Sequence, residues 1–170
     1  MKKIGLISDT HAYWDEKYRT YFTSCDEIWH VGDIGDKSVL ERLQAICPVR
    51  AVYGNIDTQE LRWELPEIQR FTLEGVDVLM KHIGGYPGKY DRSVKKILLE
   101  NPPKLFISGH SHLTKVKYDP NLQLLHLNPG AAGIYGFHQV RTLMRFELNQ
   151  ANIQNLEVIE LGNRYGEKAL

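Results

Sequence analysis

Five short apolar segments of this chain each lead into aspartate, asparagine or histidine, and this repetition constrains the fold more than any other feature. The residues that follow the segments are, in chain order, Asp9 with His11, Asp33, Asn55, His82, and His110 with His112. Short apolar runs are typical of buried strands. Packing alone does not explain a polar side chain at the end of each strand, because burying such a group without a partner is costly. We therefore predict that these ends meet at one edge of a sheet, where α/β proteins bind ligands.

The order of the predicted elements indicates an α/β (α+β) fold with two sheets. The first half alternates strands over 3–7, 27–31 and 48–53 with helices over 15–24 and 38–46. Such an order favours parallel strands joined by crossover helices. The second half predicts hairpins within 68–81, 115–127 and 140–161, a helix over 93–100 and a strand over 105–108. We expect a single domain over 1–170, with two mixed sheets packed together and flanked by helices.

The spacing within two of the polar clusters favours metal binding. Asp9 lies two residues before His11, and His110 lies two residues before His112. Residues two apart in extended backbone point to the same side, so each pair could chelate an ion.

The whole set of strand-end side chains indicates two metal ions, because it holds more ligands than one tetrahedral zinc ion uses. Mixed carboxylate, amide and imidazole ligands suit manganese, our first choice, with iron, zinc, nickel and cobalt as alternatives. Asp33 follows a middle strand and is the natural bridge between the ions. Two divalent ions beside Asp9 and Asp33 leave a net positive charge, which attracts phosphate, and such a pair can stabilise an in-line displacement.

Other polar and aromatic residues allow more than one interpretation. Asp36 and Asp57 could orient ligands, or they could be turn or helix-cap residues, and the sequence leaves both readings open. His30 is expected in the core or behind the ligands. The remaining candidates, for which we expect packing or structural roles ahead of binding roles, are His126, His138, Trp14, Tyr86, Tyr90 and Tyr135.

Composition argues against several other classes of protein. The 21 lysine and arginine residues balance 21 aspartate and glutamate residues, so the basic excess of nucleic-acid-binding proteins is missing and we expect no nucleic-acid partner. Cys25 and Cys47 fit no disulfide framework or zinc motif, which predicts reduced thiols in a cytoplasmic protein. The apolar runs are too short or too polar for a signal peptide or membrane span. We expect a monomer or small homo-oligomer. The positive charge of the predicted pair of metal ions favours a small phosphate ester as its substrate.

The ordered set of strand-end residues resembles the calcineurin-like metallophosphoesterase superfamily, and the size and the Gly-Asn-x-Asp motif are most similar to its small bacterial and archaeal phosphodiesterases. The resemblance implies a four-layer α-β-β-α sandwich and phosphodiester hydrolysis by a hydroxide that bridges two ions. It implies that one ion takes Asp9, His11, Asp33 and His112, and that the other takes Asp33, Asn55, His82 and His110. It further implies that Asn55 and His82 stabilise charge during catalysis.

Two positions depart from the pattern of the superfamily. Many members have histidine directly after the metal-binding asparagine, where it can protonate the leaving group, and this chain has Ile56 there. Many also have histidine at the position of Gly84. We expect activated leaving groups to be favoured and the substrate groove to be shallow. The alternatives are a non-catalytic scaffold like the retromer subunit of this fold, which loses ligand residues, and a nuclease of the superfamily, which needs a basic groove.

Overall fold

Two five-stranded sheets face each other in the computed structural model, which describes residues 1–165. The first sheet contains β1 (Lys2–Ile7), β2 (Glu27–His30), β3 (Val49–Ala51), β11 (Val140–Asn149) and β12 (Asn152–Asn163). The second contains β4 (Ile68–Leu73), β5 (Val76–Lys81), β8 (Leu105–Ile107), β9 (Thr114–Asp119) and β10 (Leu124–Pro129). A small hairpin joins β6 (Gly85–Tyr86) to β7 (Lys89–Tyr90), and the helices are α1 (Glu16–Phe22), α2 (Lys37–Gln44), α3 (Gln59–Glu64) and α4 (Arg92–Glu100).

Both sheets are mixed, and the parallel strands of each carry the polar loops. The first sheet has the order β12-β11-β1-β2-β3, in which β1, β2 and β3 are parallel and β11 and β12 are antiparallel to their neighbours. The second has the order β4-β5-β8-β10-β9, in which β5, β8 and β10 are parallel. Because parallel strands share one direction, the loops after them emerge at the same edge of their sheet.

Successive side chains of a strand point to opposite faces of its sheet. One apolar layer therefore lies between the two sheets, and two others lie between each sheet and its helices. Ile4 and Leu6 of β1 point into the layer between the sheets, where they meet Trp29 of β2 and Val78 and Met80 of β5. All five side chains are fully buried. Burying a side chain of this kind contributes roughly 1.5–3 kcal/mol relative to leaving it exposed, so this layer holds the two sheets together.

The helices cover the outer faces of the sheets. Phe22 of α1 and Leu40 of α2 pack on the first sheet, and Val94 and Leu98 of α4 pack with Phe106 on the second. The helices begin at side chains that accept a hydrogen bond from the first turn, namely Asp15, Asp36, Thr58 and Asp91. The predicted class and the four-layer arrangement are therefore confirmed.

Three elements carry no signal in the sequence pattern. Helix α3 has six residues, of which only Leu61 is buried, so no apolar period marks it. The strands β6 and β7 have two residues each, which is too short for alternation to show. All the strands and helices that the sequence predicts are present, with ends shifted by a few residues. Among residues 1–165, no helix is long and apolar enough to cross a bilayer.

Buried His126 should make the stability of the fold depend on pH. Burial lowers the pKa of this imidazole from its ordinary 6.5 to about 4. The unfolded chain therefore binds a proton that the folded chain excludes, so the stabilising contribution is complete above pH 6.5 and is lost as the pH falls towards about 4. Urea denaturation of the metal-free protein and of His126→Gln measures this. The stability of the wild type relative to the variant should fall by up to about 3 kcal/mol over that range, and a constant difference would contradict the prediction.

Candidate metal centre

Six of the predicted residues form two groups where the polar loops of the two sheets meet. Asp9, His11 and His112 form the first group, and Asp33, His82 and His110 form the second. Within each group, one ligand-type atom per residue lies within 4.8 Å of the others. The residues come from loops after four different strands, so only the folded chain brings them together.

The carboxylate of Asp9 lies at the centre of these groups. Its side chain is fully buried, and Oδ1 is 3.1 Å from Nε2 of His112. The same oxygen lies 3.8 Å from Nε2 of His11 and 3.8 Å from Nε2 of His82. One oxygen atom therefore faces imidazoles from three separate loops.

The second oxygen of Asp9 is held by hydrogen bonds. Oδ2 accepts from Ser8 Oγ at 2.6 Å and from the backbone N–H of His110 at 3.2 Å. Burial would raise the pKa of Asp9, but its contacts with His11 and His112 outweigh burial and hold that pKa well below the usual range. The carboxylate is therefore ionised at neutral pH and available to a cation.

Asp33 lies between the two groups. Its Oδ2 is 3.4 Å from Nε2 of His11 in the first group and 3.2 Å from Nε2 of His82 in the second. Its Oδ1 accepts the backbone N–H of Ile56 at 3.1 Å. Burial would raise the pKa of Asp33, but the adjacent imidazole of His82 lowers it overall. The geometry is that of a carboxylate shared by two adjacent sites.

Several buried atoms of the centre lack hydrogen-bond partners among the described residues. Such atoms show whether the centre suits metal ions, because a bound ion would supply the missing partner. The atoms are Asp9 Oδ1, His11 Nε2 and His82 Nε2. His82 Nδ1 lies 2.7 Å from the carbonyl oxygen of Val31, which can only accept, so in the neutral ring Nε2 carries a lone pair. A lone pair that faces a carboxylate oxygen is stabilised by a positive charge between the two atoms, which a metal ion can supply. Imidazole and carboxylate together are ligands that divalent transition metals use, so the donor set fits.

The backbone at these residues is turned, which corrects one sequence prediction. The values of φ are 53° at Asp9, 43° at His11, 54° at Asp33, 69° at His110 and 60° at His112. The assumption of extended backbone is therefore wrong here. Asp9 and His11 still share a group, but His110 and His112 divide between the two groups. Such conformations cost about 1–3 kcal/mol each and persist only where the surroundings hold them.

Hydrogen bonds between neighbouring loops hold these turns. The N–H of Asp9 donates to Gly32 O at 3.0 Å, and the N–H of His11 donates to Asp33 O at 3.0 Å. Close packing adds to them, since a Cβ at Gly54 would lie 2.1 Å from Asp33 Oδ1. A larger residue at position 54 would displace the shared carboxylate.

The remaining predicted site residues lie in the turns beside the groups. Asn55 is exposed and lines one cleft with His82. Asp57 is buried and accepts the backbone N–H groups of Gly35 and Gly54, each at 2.8 Å, so it joins the loops after β2 and β3. Asp36 is exposed and accepts from Ser38 N at 2.8 Å as the N-cap of α2. Asp57 is thus a turn residue that braces two site loops, and Asp36 is a helix cap.

His138, for which the sequence predicts only a structural role, lies directly behind His112. Its Nε2 is 2.8 Å from the carbonyl oxygen of Gly133 and must donate to it, so Nδ1 of the neutral ring is an acceptor. Nδ1 of His112 lies 3.3 Å from this acceptor and can donate to it. His112 is then left with a lone pair on Nε2, directed towards Asp9. No spacing signal connects positions 112 and 138 in the sequence.

A cavity of about 460 Å³ adjoins the second group. We call it the hairpin cavity, because the β6–β7 hairpin forms one wall and the loop of His110 and Leu113 forms another. Tyr86 and Tyr90 line it, although the sequence favours packing roles for them. On this side a short hairpin is enough to build a wall beside the site, and the shallow groove stays a prediction.

The sequence matches the calcineurin-like phosphoesterase superfamily domain over residues 1–151. The chain is 31% identical over 133 residues to a probable metallophosphoesterase of Methanothermobacter thermautotrophicus, with 75% of this chain and 76% of that protein covered. It is 36% identical over 139 residues to a probable metallophosphoesterase of Methanocaldococcus jannaschii, with 75% of this chain and 67% of that protein covered.

Solved structures with low sequence identity share the fold. One is a novel archaeal phosphodiesterase, with a TM-score of 0.72, 18% identity and coverage of 94% of this chain and 99% of that chain. Another is the zinc complex of Vps29 from Entamoeba histolytica, with a TM-score of 0.72, 18% identity and coverage of 93% and 98%. At such identities the likeness describes the architecture alone.

Replacing His138 should weaken metal binding. In His138→Phe the ring of His112 loses its acceptor, so Nε2 is no longer oriented, and the affinity for Mn²⁺ should fall by about 10- to 100-fold. The matched control is Tyr135→Phe, which removes a hydroxyl but keeps the ring stacked 4.9 Å from that of His11. Competition with a fluorescent chelator measures both affinities. Equal affinities in the two variants would show that His138 does not position His112.

Proposed function

The chain belongs to the calcineurin-like phosphoesterase superfamily, and from this premise we propose that it is a metal-dependent phosphodiesterase that acts on small phosphate esters. The observation that carries the proposal is a pair of adjacent groups in which Asp33 Oδ2 lies near imidazoles of both, at 3.4 Å from His11 and 3.2 Å from His82. Both groups also contain buried ligand atoms that have no hydrogen-bond partner within residues 1–165. Such a pair suits two divalent ions, for which we retain manganese as first choice, with iron, zinc, nickel and cobalt as alternatives.

Each ion would take ligands from loops of both sheets. We assign Asp9, His11, Asp33 and His112 to the first ion, and Asp33, Asn55, His82 and His110 to the second. Two observations support the assignment. The position of Asp33 Oδ2 between His11 and His82 fits a bridge, and the hydrogen bond from His82 Nδ1 to Val31 leaves Nε2 free. When bound, the ions would supply an activated nucleophile and neutralise charge on the phosphate.

The chain's own residues would position the ester. Asn55 is exposed at the edge of the centre, so its amide can also contact a phosphate oxygen. His82 is buried, so it would stabilise charge through the ion that it holds and not by touching the ester. Ile56 follows Asn55 and its side chain is 44% exposed. An aliphatic side chain donates no proton, so a leaving group that departs on this side must carry its own negative charge.

Two other functions remain as outcomes of the tests. A non-catalytic scaffold of this fold would keep the architecture and bind metal without hydrolysing any ester. A nuclease would need a basic groove long enough for a polynucleotide. Cations do line the hairpin cavity, but a cavity of this size fits a small molecule, so we favour the small-ester phosphodiesterase.

Asp33→Asn should abolish most hydrolysis of bis(4-nitrophenyl) phosphate in the presence of Mn²⁺. The change weakens the shared ligand of both ions, so we expect kcat to fall by at least about 100-fold. Asp36→Asn is the matched control, because asparagine caps a helix as well as aspartate does, and it should keep full activity. Equal activities with two ions retained in each variant would contradict the bridging role. A wild-type protein that binds two ions but hydrolyses no ester would favour the scaffold.

The rate should depend steeply on the leaving group, and Ile56→His should reduce that dependence. Without a proton donor, aryl diesters of acidic phenols should react readily and alkyl diesters slowly. An imidazole at position 56 can supply up to about 10²–10⁴-fold for poor leaving groups, and we expect part of that gain. The measurement is log kcat against leaving-group pKa for both proteins. A flat plot for the wild type would show that another group already donates the proton.

A further inference from the structure

The hairpin cavity begins at a proposed metal ligand and extends away from it. Its lining includes Gly109 and His110, which lie beside the second metal group, and also Lys89 and Arg92. A phosphate bound at the metal centre would therefore direct one of its ester groups towards the cavity. The volume of about 460 Å³ is in the range that holds a small organic ligand.

The hairpin that forms the wall is held in place by hydrogen bonds. The carbonyl oxygen of Gly84 accepts from Asp91 N at 3.0 Å, and that of Gly85 accepts from Ser108 Oγ at 3.1 Å. Lys117 Nζ donates to the carbonyl oxygen of Pro87 at 3.3 Å. A Cβ at Gly84 would lie 2.4 Å from the ring of Phe106, so the histidine of other family members does not fit here without rearrangement. The cavity is thus a built feature of this chain.

One part of the cavity wall is apolar and aromatic. Ile83, Tyr86 and Leu113 line it, and Tyr86 is 38% exposed. The hydroxyl of Tyr90, by contrast, donates to Asp119 at 2.7 Å, which fixes that ring as part of the wall. Flat aromatic and aliphatic surfaces of this kind favour a planar ring as ligand.

Another part of the wall is cationic. Lys89, Arg92 and Lys115 line the cavity, and within residues 1–165 none of them forms an ion pair with a carboxylate. Lys115 Nζ instead lies 3.5 Å from the ring centroid of Tyr86. The acidic residue of the lining, Asp91, is occupied by the backbone N–H of Ser93 as the N-cap of α4. The chain as a whole has no net charge, so this positive excess is local.

We propose that the hairpin cavity binds the organic part of the substrate, and that this part carries a planar ring and a second anionic group, as a nucleotide does. The proposal rests on the phosphodiesterase function proposed above. A plain alkyl group would leave Lys89, Arg92 and Lys115 without an anionic partner, and a bare polyphosphate would leave the aromatic wall unused. A ring with a second phosphate satisfies both, because the ring lies against Tyr86 and the phosphate lies near Lys89, Arg92 and Lys115.

Calorimetry on the Mn²⁺-loaded protein with four probes tests the proposal. The probes are inorganic phosphate, ribose 5-phosphate, thymidine 5′-monophosphate and thymidine 3′,5′-bisphosphate. Along this series a sugar, then a planar base ring, and then a second phosphate are added. We expect affinity to rise at the ring step and again, by about tenfold, at the second phosphate, since two or three partly exposed charge pairs contribute at this step.

Substitutions show which residues provide the gain in affinity from the ring and which provide the gain from the second phosphate. Tyr86→Ala should reduce the gain from the ring, and Lys115→Met should reduce the gain from the second phosphate by about three- to fivefold. Neither should change the affinity for inorganic phosphate. Lys96→Met is the matched control, because Lys96 lies on α4 with a side chain 82% exposed and outside the cavity.

The outcomes separate this proposal from the proposed function. Equal affinities for all four probes, or equal losses in Lys96→Met and Lys115→Met, would overturn the cavity proposal while hydrolysis of bis(4-nitrophenyl) phosphate could still proceed. A stepwise rise in affinity in a protein that hydrolyses no ester would support the cavity as a nucleotide-type site and refute the phosphodiesterase function.

Discussion

A buried, ionised carboxylate faced by three imidazoles is the constraint on which the rest of this structure depends. Asp9 is inaccessible to solvent, yet its Oδ1 has no hydrogen-bond partner in the described part of the chain and lies near nitrogens of His11, His82 and His112. A buried charge is tolerated only when other groups or an ion compensate it. The loops of both sheets converge to supply that compensation. The site therefore forms only when the two sheets are packed together.

The fold meets this constraint through hydrogen bonds behind the site. His30 Nδ1 accepts the backbone N–H of Gly32 at 3.1 Å, so its Nε2 donates to Thr10 Oγ1 at 3.0 Å, and Thr10 donates in turn to Ile34 O at 3.0 Å. Asp57 makes a similar link between the loops after β2 and β3. These links hold residues in left-handed conformations that would otherwise relax, and they fix the ligand atoms before any ion binds.

The same architecture serves a named phosphodiesterase and Vps29, so the fold alone does not select a function. What distinguishes this chain is the side chains at the edge of the sheets. The carboxylates and imidazoles of both groups are present, which supports catalysis, whereas Ile56 removes a proton donor found in many relatives. Gly84 lines the cavity beside the site and lies so close to Phe106 that a larger residue there would clash with its ring. Substrate preference would then follow from these local departures.

The sequence by itself determined the strands, most helices and the identity of the residues at the strand ends, because apolar periodicity and strand-terminal polar residues are local signals. Its local patterns did not determine how those residues are grouped, which only the resemblance to the superfamily implied. His110 and His112 are close in the chain but belong to different groups, and His138 is 26 positions from the His112 that it supports. The tertiary structure decided these points, together with the brace at Asp57 and the hairpin cavity. Each depends on left-handed loop conformations and on the register of two sheets, which are set by contacts between residues far apart in sequence.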